Sequence, residues 1–216
     1  DLVVSGDRTS VPGLADVPTG ALVVPNASDL TWAEVALDDA TIDALPGNLA
    51  DVPDACARSV VWGSLLGSVA RGEVDPRTVL STFVAAWPRE DSGAVLSRVS
   101  LLMTSQVVPL FLPPQEQEGA RAQIADSADA LLERSAGVEG VSGDALAVLA
   151  ARVWARTGVD EDRLRRWAAG DGIPEVLVGD DDFRWSVLRR LATLGVLGEP
   201  RVNVLRLNRD LDARRR

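Results

Sequence analysis

From Asp39 to the C-terminus apolar residues recur about every 3.6 positions, and that period restricts this part of the chain to helices. Trp62, Leu65, Leu66 and Val69 fall at i, i+3, i+4 and i+7, as do Leu80, Phe83, Val84 and Trp87, and again Leu146, Leu149, Ala150 and Val153. Each set forms a stripe that needs burial against another element. Val95, Val99, Leu102 and Met103 predict a further helix, Ile124, Ala128 and Leu131 another, then Leu164, Trp167 and Ala168, and last Phe183, Val187, Leu191 and Leu194. Asp75 before Pro76 reads as a cap followed by a first-turn proline, and Pro113-Pro114 separates two periodic stretches. Gly137, Gly158, Gly170 and Gly195 stand where helices should stop. With short loops and no sequence repeat, the expected fold is mainly α, with antiparallel helix pairs stacked in a curved HEAT/armadillo-like array. A compact bundle fits the same periodicity.

Residues 1–38 read differently. Leu2–Val4, Ala21–Val24 and Trp32–Leu37 are short β-prone runs divided by Gly6, Pro12, Gly13, Pro18 and Gly20. Three such strands cannot build a core alone, so they predict the end of a sheet completed elsewhere. The expected division is a β segment over 1–38 and a helical domain over 39–216. Asp1 is not a methionine and no leader-like stretch follows it, which suggests a piece of a longer polypeptide.

The 216 residues contain no histidine, lysine or tyrosine. That removes Ser-His-Asp and Cys-His catalysis, Ser-Lys dyads, lysine-bearing P-loops and imidazole zinc sites. A formal net charge of −10 argues against nucleic acid or an anionic membrane as partner, although Arg201, Arg206, Arg209 and Arg214–Arg216 gather positive charge at the C-terminus. The apolar run from Leu101 to Leu112 is interrupted by Thr104, Ser105, Gln106 and Pro109, so no membrane crossing is expected. Cys56 is the single cysteine, consistent with a reducing, cytoplasmic compartment, and its place on an apolar helix predicts a buried packing role.

The densest carboxylates, Asp180–Asp182 and Asp160–Asp162 with Glu161 between, directly precede predicted helices. Capping is the expected role; a divalent cation or carboxylate-based hydrolysis is the alternative. Gly63 and Gly67 carry a GxxxG spacing that predicts close helix contact. The six tryptophans fall mostly on stripes and read as core, and Arg98, Arg184, Arg189 and Arg190 read first as partners of surface acids, second as ligands for a carboxylate.

Two segments carry a family resemblance. Leu22-Val23-Val24-Pro25-Asn26-Ala27-Ser28-Asp29-Leu30-Thr31-Trp32-Ala33-Glu34-Val35-Ala36-Leu37-Asp38 resembles the "LLxNxxDLTYAKVRLD"-like junction of bacterial aminopeptidase N, with Trp32, Glu34 and Ala36 where that stretch has tyrosine, lysine and arginine. Asp182-Phe183-Arg184-Trp185-Ser186-Val187-Leu188-Arg189-Arg190-Leu191-Ala192-Thr193-Leu194-Gly195 is similar to its late "DxRWxLLRRLAALG" helix, and Ala57–Gly63 to its first long helix. The resemblance implies the C-terminal helical domain of a zinc metallopeptidase, preceded by the last strands of a β-sandwich. It implies zinc in the parent enzyme, held by an upstream H-E-x-x-H helix, and a G-x-M-E-N loop for the substrate amine; neither motif is in this sequence. The expected role is to cover the active-site cleft of that upstream domain and shape access for peptide substrates, with no catalytic, metal or cofactor site in this chain. Asn26, Asp29, Trp32, Arg58, Arg98 and Arg184 are the candidate substrate-tail or interdomain contacts. The rival reading is a free-standing helical-repeat module that binds a peptide or protein.

Overall fold

The computed structural model describes residues 6–11, 20 and 22–195. Within them the chain forms α1 (Asp39–Asn48), α2 (Ala55–Ala70), α3 (Pro76–Ala86), α4 (Gly93–Leu102), α5 (Pro114–Ser135), α6 (Val141–Thr157), α7 (Glu161–Ala168) and α8 (Asp181–Thr193). Single 3₁₀ turns follow α1 and α3, and a third lies at Glu175–Leu177.

Local chemistry sets the starts of these helices. Asp38, Asp54, Asp75, Asp160 and Asp180 each stand at an N-cap with a carboxylate accepting a first-turn backbone N–H, at 2.8 to 3.0 Å. The capping role expected of Asp180 and Asp160 is therefore what the structure shows. Pro76 and Pro114 occupy first-turn positions where a missing N–H costs nothing. At the other ends, Gly158 closes α6 with φ +67°.

α4 does not stop at Leu102 but widens into a π-helical extension over Met103–Phe111. Pro109 sits inside it and lacks the N–H an α-turn requires, so the regular ladder cannot run through. Gly93–Phe111 is, among the described residues, the one helical stretch long and apolar enough by composition to span a membrane. Here Val95, Leu96, Val99, Met103, Val107 and Val108 are buried in the protein core.

One continuous core runs through the helices. α5 lies along α6, α1 on α3, and α7 on α8, while α6 also meets α4 and α8. Two aromatic groups anchor it. Phe83 and Trp87 stack at 4.9 Å, and the Trp87 indole N–H donates to the Leu96 carbonyl at 3.0 Å. Trp154, Trp167 and Phe183 join α6, α7 and α8 at 4.9 and 5.5 Å. Truncating one such ring to alanine typically costs about 3–5 kcal/mol.

Two expectations are corrected, those for Cys56 and for the Gly63 and Gly67 pair. Among the described residues there is no strand, and 22–24 and 32–37 carry no sheet ladder. Leu2–Val4 and Ala21 fall outside the described residues. Cys56 is exposed, since the first turn of α2 projects beyond the core-facing stripe that begins at Ala57. Gly63 and Gly67 mediate no helix crossing. A side chain at Gly63 would meet nothing within 4 Å, and at Gly67 only the Arg71 guanidinium, at 3.2 Å.

Candidate functional site

Two concave surfaces hold the residues capable of recognition. The first lies where the N-terminal segment crosses α2 and α4, a hollow of about 330 Å³ that gathers Asn26, Asp29 and Arg98 with Cys56 and Gly63. Asn26 builds its wall. Its side-chain amide donates to the Thr31 carbonyl at 2.8 Å and accepts the Thr31 N–H at 3.1 Å. The turn needs left-handed backbone at Asn26 (φ +53°) and Asp29 (φ +51°), a conformation asparagine and aspartate tolerate best after glycine. The segment is then tied down at two points: the Val23 N–H donates to Thr41 Oγ1 at 3.1 Å, and Ser64 Oγ donates to the Val35 carbonyl at 2.5 Å. Beyond the turn, Leu30 is 89% and Trp32 105% exposed, a large apolar surface with nothing of the described chain against it.

Arg58 is elsewhere and fully engaged. Buried at 4% exposure, it pairs with Glu90 through Nε and Nη2, at 2.8 and 2.6 Å. Its Nη1 donates to the Val52 and Pro53 carbonyls, and Asp91 completes the set. The Glu90 hydrogen bond, opposed by burial, raises the guanidinium above its ordinary pKa. Arg184 reaches from α8 to the Ala168 carbonyl at 3.1 Å, at the negative end of α7. Arg98 has no carboxylate partner among the described residues. The surface ion pairs expected for Arg98, Arg184, Arg189 and Arg190 are thus not formed among the described residues.

The second surface is a cleft of about 750 Å³ between the end of α4, α6 and α8. Arg152 and Arg156 enter it from α6, Arg189 and Arg190 from α8, and the half-exposed Trp185 and Leu101 form its apolar rim. Arg190 Nη2 donates to the Thr157 carbonyl at 2.7 Å, and Arg152 Nη2 meets Asp180 at 3.1 Å. Arg190 presses on Gly158, where a Cβ would lie 2.1 Å from its Nε, so glycine is required both for this contact and for the positive φ. Burial, then the neighbouring Arg152, lowers the pKa of Arg156; burial, then Arg121, lowers that of Arg190. Arg152 and Arg156 escaped the candidate residues drawn from sequence. Their i, i+4 spacing without an acid on the same face is the signal that marked them, since like charges so placed repel.

The hydroxyls of Thr104, Ser105, Ser186 and Thr193 in the cleft all donate to helix carbonyls. No group of three or more acidic, cysteine or histidine side chains converges to hold a metal among the described residues. The donors present do not fit the zinc that the family resemblance implies for the parent.

Residues 22–213 match the ERAP1-like C-terminal domain family. The chain belongs to that family. It is also 27% identical over 199 residues to Aminopeptidase N of Streptomyces lividans, across 92% of this chain and 23% of that protein. The chain thus spans about a quarter of the length of this relative. It is a C-terminal domain of an aminopeptidase N-like protein, and the junction segment and the α8 segment that suggested this in the sequence lie within the matched region. In this ERAP1-like domain, the junction turn and the arginine cleft lie on different helices, so the six candidate contacts do not form one site. Asn26, Asp29 and Arg98 come together; Trp32 stands free beside them, Arg58 is internal, and Arg184 lines a separate small hollow between α7 and α8.

Proposed function

We propose that this domain covers the active-site cleft of an upstream zinc-dependent aminopeptidase domain and shapes which peptides reach it, while contributing no catalytic residue. The observation that carries the proposal is the family match over nearly the whole chain, together with a relative named Aminopeptidase N four times as long. The zinc ligands and the free-amine site would belong to the upstream part, since this chain offers no histidine. The helix pairs would stack as a curved, HEAT-like wall that excludes bulk water and folded proteins from the chamber. Residues 1–38 would form a unit of their own with the preceding sheet. Asn26, Asp29, Trp32 and Arg98 would supply interdomain contacts, and the exposed Leu30 and Trp32 support a docking role there. Arg184 would contact the substrate tail. The exposed thiol of Cys56 fits a reducing, cytoplasmic setting. Nothing in the fold favours the free-standing repeat module over this reading.

The test is release of N-terminal leucine or alanine from fluorogenic and longer peptides by three preparations: this chain, the upstream region loaded with zinc, and both together. Turnover only where the upstream region is present, with the peptide-length preference altered by this chain, is the expected result. Turnover by this chain alone, or no effect of it on the upstream region, overturns the proposal.

A further inference from the structure

The arginine cleft is charged beyond anything its own walls neutralise. Four guanidinium groups, Arg152, Arg156, Arg189 and Arg190, line it against the single carboxylate of Asp182. Asp180 is engaged with Arg152 and accepts the first-turn N–H of Phe183, so it is spent on the α8 cap. Two of the arginines hold a buried Nε–H with no acceptor: Arg152 and Arg190. Arg156 and Arg189 have no partner among the described residues. A buried donor without an acceptor is costly, which leaves these side chains underused by the fold itself.

We propose that this cleft binds a small multivalent oxyanion of the phosphate class, carried on a molecule with an apolar or flat part. The forked guanidinium geometry suits two oxygens of one tetrahedral group, and several such forks exceed the charge of a single carboxylate. Trp185 is 67% exposed and Leu101 50% exposed at the rim, so a ligand body can lie on an apolar surface while its anion meets the arginines. The cleft volume of about 750 Å³ is that of a small-molecule site. The lowered pKa values of Arg156 and Arg190 agree with positive charge gathered in a partly desolvated place. This inference stands apart from the peptidase reading and holds or fails without it.

The probe is sodium pyrophosphate titrated into the full 216-residue chain by calorimetry, with orthophosphate and acetate at matched ionic strength. Pyrophosphate should bind with a dissociation constant of about 1 mM or below, and acetate at least about tenfold more weakly. Arg156→Gln and Arg189→Ser change side chains that cap no helix and hold no partner among the described residues, so each should fold normally and weaken pyrophosphate about tenfold or more. Absence of pyrophosphate binding overturns the proposal. So does equal binding of acetate, which would mark a monocarboxylate site, or unchanged affinity in both folded variants.

Discussion

Replacing Glu90 by glutamine should be among the most damaging single substitutions in this domain that leave the volume unchanged. Glu90 and Arg58 are each 4% exposed and joined by two hydrogen bonds of 2.6 and 2.8 Å. The same carboxylate accepts the backbone N–H groups of Asp91 and Ser92, at 3.0 and 2.8 Å, just where α4 begins. Arg134 from α5 donates to the Glu90 carbonyl. One residue therefore links α2, the start of α4 and α5. In Glu90→Gln an amide NH₂ faces the guanidinium, and the buried arginine charge keeps only the solvent-exposed Asp91 carboxylate as counterion. Breaking a buried pair in this way costs about 3–5 kcal/mol. In a domain of this size about 1 kcal/mol moves the thermal midpoint by about 2–4 °C, so a fall of about 10 °C is expected. Asp91→Asn is the control, because the Asp91 side chain is 83% exposed and its pair with Arg58 is worth at most about 1 kcal/mol. Urea unfolding followed by circular dichroism would measure both. Equal losses in the two variants, each below about 1 kcal/mol, would refute the assignment of Arg58 and Glu90 as a buried structural pair.

Four further outcomes are expected. Gly63→Ala should stabilise the isolated domain by about 0.5–1 kcal/mol, since open space surrounds the position in α2. Gly143→Ala should unfold it or cost several degrees of thermal midpoint, because the new Cβ would lie 2.0 Å from the Val138 carbonyl oxygen. Arg163→Met should lower stability by about 1–2 kcal/mol in urea unfolding, as that guanidinium sits 4.1 Å from the Trp154 ring and 4.7 Å from Trp167 while pairing with Asp129. For pH, hydrogen bonds hold Asp38 (to the Thr41 side chain and backbone), Asp75 (to the Arg77 N–H) and Asp180 (to the Phe183 N–H) below the ordinary 3.8. A depressed folded pKa means the unfolded state binds protons first. The stability these caps give is complete above about pH 4 and is lost as pH falls through their folded values. The thermal midpoint should drop in that acid range, and the Asp38→Asn, Asp75→Asn, Asp180→Asn triple variant should show a shallower acid slope. An unchanged slope would count against the capping carboxylates as the source.

The caps, the breakers and the core stripes were legible in the sequence because each is a local matter. Asp75-Pro76, Pro113-Pro114 and Gly158 act through their own backbone geometry, and Trp62, Phe83, Val99, Ile124, Leu164 and Phe183 are buried as their 3.6-residue spacing implied. The junction turn was visible through Asn26 and Asp29 as part of a family resemblance, and the reason for those residues emerged only with their positive φ angles.

What periodicity cannot carry is the distance between helices. Arg58 looked like a surface contact until the fold brought Glu90, 32 residues away, against it. Cys56 and Gly63 share a helix with a buried stripe, yet which side of that helix finds a neighbour depends on where α3 and α4 pack. The arginine cleft exists only because α6 and α8 lie side by side, setting Arg152 and Arg156 opposite Arg189 and Arg190. Electrostatic neutrality is met across space and not along the chain, so a sequence rich in acids can still fold with four arginines gathered where fewer carboxylates face them. The sequence determined which residues would be helical and apolar; the packing of those helices determined which charges were paired and which were left to meet a partner.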